Sequence, residues 1–434
     1  MAGMSPNDTT RFNRLRWLIF SLLSTAFVLA FFHRVAPTVL AEQLAVSLNA
    51  SAVALGSIAA MYFHIYAAMQ IPAGLVADRI GTRLSVGLSA AIGGVGSIIF
   101  ALAPDVFTAS VGRFVIGFGV SFAFVATLRA AGFWYRPEQY AQVSGWIILV
   151  GNLGAILAGT PLAFALEFMT WRTAFLWVGG FSLLLSAAIL LIVRNTPEQA
   201  GFAPAGAPAA HDDVGFWPGL AAVTRIPGIW LCFLAGFALV GPFFGFAGIW
   251  AVPFLMHEMR LTAREAADCI TLALLLLAFS PAFIGWFSDR IGKRRGLIMA
   301  SCLLSTINWA IFGFVDGLGF WGACILMTIG GACCSGMVIT YATAKDLAPA
   351  SAAGFAVSLV NTGLFTGAAL LQIWLGWLLS LNGYSPDGDI APDFSWAMAS
   401  LVAVSAIGFL ATLWIPETHP LADSDQEEAK LDPI

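Results

Sequence analysis

In a chain that is 59% hydrophobic and only 10% charged, an ionisable side chain inside an apolar run is the first place to look for chemistry. Burying a charge is expensive, and such residues persist where they are used. Arg34, in Phe31-Phe-His-Arg34-Val-Ala-Pro37, is the sharpest such position. Its guanidinium is a planar fork of donors that matches a carboxylate or a phosphate. It lies about 27 Å beyond Arg16 at 1.5 Å per residue. Two readings therefore stand: a side chain snorkelling to the outer surface, or a fixed positive charge facing an internal cavity and suited to an anionic substrate. The adjacent His33 is of the one side-chain type that can titrate near physiological pH and reads either as a proton-coupling site or as a hydrogen-bonded helix residue. Tyr62, Tyr66 and Gln70 recur at i, i+4 and i+8, which puts them on one helix face. A polar stripe of this kind faces protein or water, not lipid, either lining a cavity or bonding a neighbouring helix. His64 points elsewhere on that wheel. Arg113 and Arg129 bracket a later apolar run, near its outer and inner ends.

These residues must be positioned by membrane helices. The 434-residue chain has a mean hydropathy of +0.86, against about 25% charged residues in ordinary soluble proteins. About 20 apolar residues cross a bilayer, and twelve such spans are predicted. They lie near 15–41, 52–75, 82–103, 106–131, 141–166 and 173–194, then near 227–253, 264–287, 296–315, 319–342, 352–380 and 396–415. The first imitates a secretory signal, but it is too long and runs into charged positions. Of the 20 Lys and Arg, Arg172, Arg260 and Arg264 fall outside and Arg34 and Arg113 lie within spans. The other fifteen fall inside, so the positive-inside rule puts both termini in the cytoplasm of an inner (plasma) membrane. The implied organisation is a bundle over 1–194, an Ala/Pro/Gly-rich cytoplasmic linker over 195–226, a second bundle over 227–415 and an acidic cytoplasmic tail over 416–434. The six cysteines show no metal-ligand spacing and read as free structural thiols.

The halves are related. Gly74-Leu-Val-Ala-Asp78-Arg79-Ile-Gly81-Thr-Arg83 returns as Gly285-Trp-Phe-Ser-Asp289-Arg290-Ile-Gly292-Lys-Arg294, at a constant offset of 211 residues. Gly145 to Gly154 matches Gly354 to Gly363 at an offset of 209, placing Asn152 opposite Asn361. Two matches at nearly one offset describe two similar six-helix bundles in tandem. The 44 glycines cluster at helix-packing spacings. The paired hairpins put Asp78 and Asp289 near arginines and helix N-termini, where they either latch the inner face or only signal topology.

The doubled Gly-x-x-x-Asp-Arg-x-Gly-x-Arg hairpin, the twelve spans and the central linker resemble the major facilitator superfamily of secondary transporters, over the whole chain. The resemblance implies an all-α membrane fold of two pseudo-symmetric six-helix bundles around a cavity that opens alternately to each side. It assigns a gating role to Gly74, Asp78, Arg79, Gly81, Arg83, Gly285, Asp289, Arg290, Gly292 and Arg294. Arg113, in Gly-Arg-Phe-x-x-Gly, is similar to the superfamily's span-4 arginine, linked there to proton coupling or structure.

Within the superfamily the chain looks closest to the organic-anion branch of anion:cation symporters. Phe31-x-x-Arg34, Tyr66-x-x-x-Gln70-Ile-Pro, Arg129 before Phe-Trp-Tyr, Thr340-Tyr341 and Asn361 in Val-Asn-Thr-Gly carry that likeness, and imply cavity-lining roles. Three departures stand out: His33 and Val120 occupy positions where acidic residues are usual, and span 7 has no charged residue. The expected function is a proton-coupled symporter of a small organic anion, with Arg34, Tyr66, Gln70, Arg129, Asn152, Thr340, Tyr341 and Asn361 binding substrate and His33 and Arg113 coupling protons. The partners implied are an anionic small molecule, protons and the bilayer, with no nucleic acid and no cofactor; a monomer suffices. A drug or metabolite exporter and a non-transporting nutrient sensor are the alternatives. No nucleotide-binding loop, nucleophile elbow or metal cluster points to an enzyme.

Overall fold

Backbone that crosses a bilayer must satisfy its own hydrogen bonds, and a helix does so internally. The computed structural model describes residues 6–203, 215–349, 352–382 and 393–418, and all regular structure among them is helical. The acidic tail beyond Thr418, the middle of the linker, the surroundings of Gly74 and the side chains of Asp78 and Asp289 lie outside the described residues.

The chain divides into two compact units. One comprises Met1–Gln43 and Met61–Ala210, the other Leu44–Ala60 and His211–Ile434. In chain order the helices are α1 (Pro6–Leu48), α2 (Ala52–Ala68), α3 (Gln70–Ala101), α4 (Val106–Val120), α5 (Ala123–Trp134), α6 (Pro137–Leu157), α7 (Thr160–Ala165) and α8 (Trp171–Ile192). They continue with α9 (Phe216–Thr224), α10 (Pro227–Ala247), α11 (Ala251–His257), α12 (Ala263–Ile291), α13 (Arg295–Phe314), α14 (Gly319–Cys333), α15 (Met337–Leu347), α16 (Ala353–Leu381) and α17 (Ser395–Thr412). Among the described residues, 11 helical stretches are long and apolar enough to cross a membrane, and Ala52–Ala68 is a shorter apolar helix that completes twelve.

Several predicted spans are broken. The 106–131 run becomes α4 and α5, interrupted at Ser121, whose hydroxyl donates to the Phe118 carbonyl at 2.7 Å and takes an acceptor from the helix ladder. The 227–253 run becomes α10 and α11. There α16 bridges the junction: the Gln372 amide adds a bond to Phe244 O at 3.1 Å, beside that from Gly248 N at 2.8 Å, and Trp250 Nε1 donates to Gln372 O at 3.0 Å. The boundary predicted between 75 and 82 is instead one non-helical residue inside α3, Gly81, with φ 79 and ψ 165. That conformation is essentially reserved for glycine. Its repeat partner, Gly292, ends α12 at φ 70 and ψ 26, so both hairpins turn on a glycine at positive φ.

The linker is more ordered than its composition suggests. Phe202 packs edge-on against Phe12 of α1 at 5.3 Å, and Phe12 stacks on Trp134 at 5.7 Å. Further on, α9 rests on α16, with Phe216 against Phe355 at 6.1 Å. Isolated aromatics in a Pro/Gly-rich stretch give no periodic signal, so their packing could not be read in advance.

Close helix contacts rest on small residues and on hydroxyls that donate to a neighbour's carbonyl. In the first unit Ser182 donates to Ala90 O at 2.8 Å, Ser186 to Gly87 O at 2.7 Å and Ser89 to Gly119 O at 2.6 Å, tying α3 to α8 and α4. In the second unit α10 and α16 meet at Gly241 and Gly367, where a Cβ on either would stand 3.0 Å from the other's Cα.

Candidate functional site

The first unit gathers the ionisable residues around Tyr62. Arg34 is 5% exposed, and its Cζ lies 4.4 Å from the Phe31 ring centroid and 5.1 Å from that of Tyr66. The Tyr62 hydroxyl donates to Ala30 O at 2.9 Å. Tyr62 and Tyr66 stack nearly parallel, 5.7 Å apart at 9°. The i, i+4 spacing read from the sequence thus places two phenols side by side beneath a guanidinium. Gln70, the third member of that stripe, follows the break at Met69 and turns its amide back to Tyr66 O at 2.9 Å.

His33 lies on another face of α1, fully buried against Phe32 and Phe175. Its Nε2 is 3.2 Å from Ser97 Oγ, whose own hydrogen goes to Gly93 O at 2.8 Å. A hydroxyl has one hydrogen to give, so His33 carries its proton on Nε2 and leaves Nδ1 as a bare acceptor. Arg113 is also fully buried; its Nη1 donates to His33 O at 2.7 Å and its Cζ sits 5.0 Å from the Tyr62 ring. The helix that carries Arg113 begins at a cap. The exposed Asp105 carboxylate accepts from Thr108 N at 2.7 Å, and that backbone bond holds the carboxyl below its usual range.

Other predicted site residues fall elsewhere. Arg129, on α5, lies over the Phe133 ring at 5.0 Å. Asn152 is buried on α6 and donates to Ile148 O within its own helix at 2.9 Å. In the second unit Thr340 is buried and donates to Met337 O at 2.7 Å, while Tyr341 donates to Asn361 Oδ1 at 2.5 Å. The Thr340-Tyr341 and Asn361 segments, some 20 residues apart, are thus brought together by α15 and α16.

The hairpins are anchored differently in the two units. Arg83 N donates to Asn195 Oδ1 at 2.8 Å, and Arg83 Nε donates to Leu190 O at 2.6 Å. In the second copy Glu417 takes the capping place, accepting from Arg294 N at 2.9 Å and Arg295 N at 3.1 Å, and Arg294 also pairs with Asp346. Arg79 and Arg290 are exposed, the latter over Trp286 at 5.5 Å, and Gly285 has open space where a Cβ would stand. Asn195, Glu417, Asp346, Tyr62 and Ser97 were not singled out as site residues from the sequence. Tyr62 alone left a signal there, in its helical spacing. Replacing Asn195 with alanine removes one cap acceptor, worth about 0.5–2 kcal/mol. The expected result is a lower melting temperature in detergent, largely restored by Asn195→Asp; an unchanged melt for Asn195→Ala would remove the capping role.

The model of the Major Facilitator Superfamily matches residues 18–252 and 233–433. The chain is 22% identical over 432 residues to the hexuronate transporter of Escherichia coli (strain K12), covering 95% of this chain and 96% of that one. It is 26% identical over 185 residues to the galacturonate transporter of Dickeya chrysanthemi, covering 43% of this chain and 54% of the relative. Among solved structures, a bacterial homolog of the human lysosomal transporter Spinster superposes with a TM-score of 0.74 at 18% identity, covering 94% of this chain and 98% of that one. That last likeness is one of fold.

Proposed function

Because the chain belongs to the Major Facilitator Superfamily, we propose that it is a secondary active transporter carrying a small carboxylate or sugar-acid anion by alternating access, coupled to protons. Membership makes it a multi-pass membrane transporter and not an enzyme. The observation that carries the anion reading is Arg34, a guanidinium withdrawn from water and held by two aromatic rings. Aromatic faces hold a cation in a fixed place and orientation, as a substrate-facing guanidinium requires. The names of its relatives, hexuronate and galacturonate transporters, support a sugar acid.

In this reading Tyr66 and Gln70 shape the Arg34 site, while Arg129, Asn152, Thr340, Tyr341 and Asn361 are proposed as substrate-binding residues on the family resemblance alone. Arginine does not titrate in the working range, so the proton falls to the bare Nδ1 of His33, whose facing groups are Ser97 and the Arg113 cation. Arg113 fixes α1 at the His33 carbonyl. The paired hairpins, Gly74 to Arg83 and Gly285 to Arg294, serve as cytoplasmic latches, with both termini inside the plasma membrane.

The test is uptake into proteoliposomes, screening sugar acids, hydroxy acids and amino acids with and without an inward proton gradient. The expected result is gradient-stimulated entry of at least one sugar acid. Anion entry that ignores the gradient would remove proton coupling, and transport of neutral compounds alone would remove the anion assignment.

A further inference from the structure

Arg113 is more than a fastener for α1. Only Nη1 is used; Nε and Nη2 have no hydrogen-bond partner although the residue is fully buried. Those two N–H groups share one edge of the guanidinium plane, the edge that grips a carboxylate through two parallel bonds. A desolvated cation with bare donors is costly unless a charge answers it. Among the described residues, α4 and α5 contain no acidic residue, and Asp8 and Glu42 of α1 are exposed. Asp105, at the mouth of α4, is exposed and occupied by its cap.

The second cation of this unit lies across a stacked pair of side chains. Arg113 lies against the Tyr62 ring, and Arg34 lies against Tyr66, which stacks on that ring. The stacked pair, with Tyr62 itself fully buried, therefore connects the Arg34 site to Arg113. We propose that the two arginines together select dianions: organic acids with two ionised groups on a short chain, one gripped by Arg34 and the other by Nε and Nη2 of Arg113 once the Tyr62 ring turns aside. This rests on the reading of Arg34 as the anion site and narrows it from anions in general to dianions. A monoanion would leave the Arg113 edge bare, and a neutral sugar would leave both.

The experiment compares acids that share a carbon chain and differ by one carboxylate: glycerate with tartronate, threonate with tartrate, and gluconate with glucarate. Each is titrated onto the purified full-length protein, following intrinsic tryptophan fluorescence. Wild-type protein is expected to bind the diacid at least tenfold more tightly in the pair whose length fits. Arg113→Gln is expected to bring that ratio close to one, with Arg113→Lys falling between. A ratio near one in wild-type protein overturns the proposal without needing a variant. So does a tenfold preference that survives Arg113→Gln, in which case the edge holds internal water only. If both members of a pair bind equally, the reading of Arg34 stands and only the dianion inference falls. If no acid binds, both fall.

Discussion

Replacing Arg34 with alanine is expected to abolish anion uptake while the protein still reaches the membrane and elutes as a single species. The guanidinium lies against the Phe31 and Tyr66 rings, so two neighbours that survive the change set its position. What disappears is the charge and its fork of donors. Truncating one member of a buried, hydrogen-bonded charge pair costs about 2–5 kcal/mol, which is a thirtyfold loss of affinity or more. Arg34→Lys keeps the charge but loses the planar fork and the ring stacking, so it should retain a small part of the uptake. The measurement is initial uptake in proteoliposomes at matched protein content. Unchanged uptake in Arg34→Ala would show that the substrate's countercharge lies elsewhere, and a variant that aggregates would make Arg34 a structural residue.

The largest loss of stability is expected at Gly154. A Cβ there would land on the Val28 carbonyl oxygen of α1, with Phe32 N only 3.0 Å away. Both obstacles are backbone, so no rotamer change relieves the clash, and α1 and α6 must move apart. Overpacking a tight contact typically costs about 1–3 kcal/mol, and a β-branched side chain sits at the upper end. Gly154→Val is therefore expected to lower the melting temperature in detergent and the yield of monodisperse protein. Gly180→Ala is the matched control, since nothing lies within 4 Å of its Cβ position, and it should melt like wild type. Equal melting of the two variants would mean that the approach of α1 to α6 is not tight. The contact bears on the proposed function because α1 also carries Arg34 and His33.

The internal repeat is written into this packing. Gly363, the counterpart of Gly154, presses α16 onto α10 at Phe233, where a Cβ would meet Phe233 O at 2.9 Å. The pairing of the 145–154 and 354–363 segments, found as a spacing, marks equivalent helix contacts in both units. The caps show where such reasoning ends. Asn195 and Glu417 perform similar work on the two hairpins, yet their separation of 222 residues does not match the offset of 211 shared by the hairpins themselves. Different residue types at different spacings leave no repeat to detect.

The sequence alone determined the membrane class, the positions of nearly all crossings and the duplication, and it singled out Arg34 as a charge inside an apolar run. Each depends on properties that are local or additive along the chain: apolar run length, lysine and arginine placement, and the cost of a charge in an apolar run. The breaks at Gly81 and Ser121 are local, a glycine at positive φ and a hydroxyl bonded to its own helix, whereas the break between α10 and α11, bridged by Gln372 of α16, was decided by tertiary structure. So was the separation of Arg34 from His33, which are adjacent in sequence but turned to different faces of α1, one toward tyrosines and the other toward Ser97 and Phe175. The unused edge of Arg113 also belongs to this second group. Whether a buried donor finds a partner depends on how far two helices have rotated toward each other, and that angle is set by packing summed over the whole bundle, not by any stretch of residues.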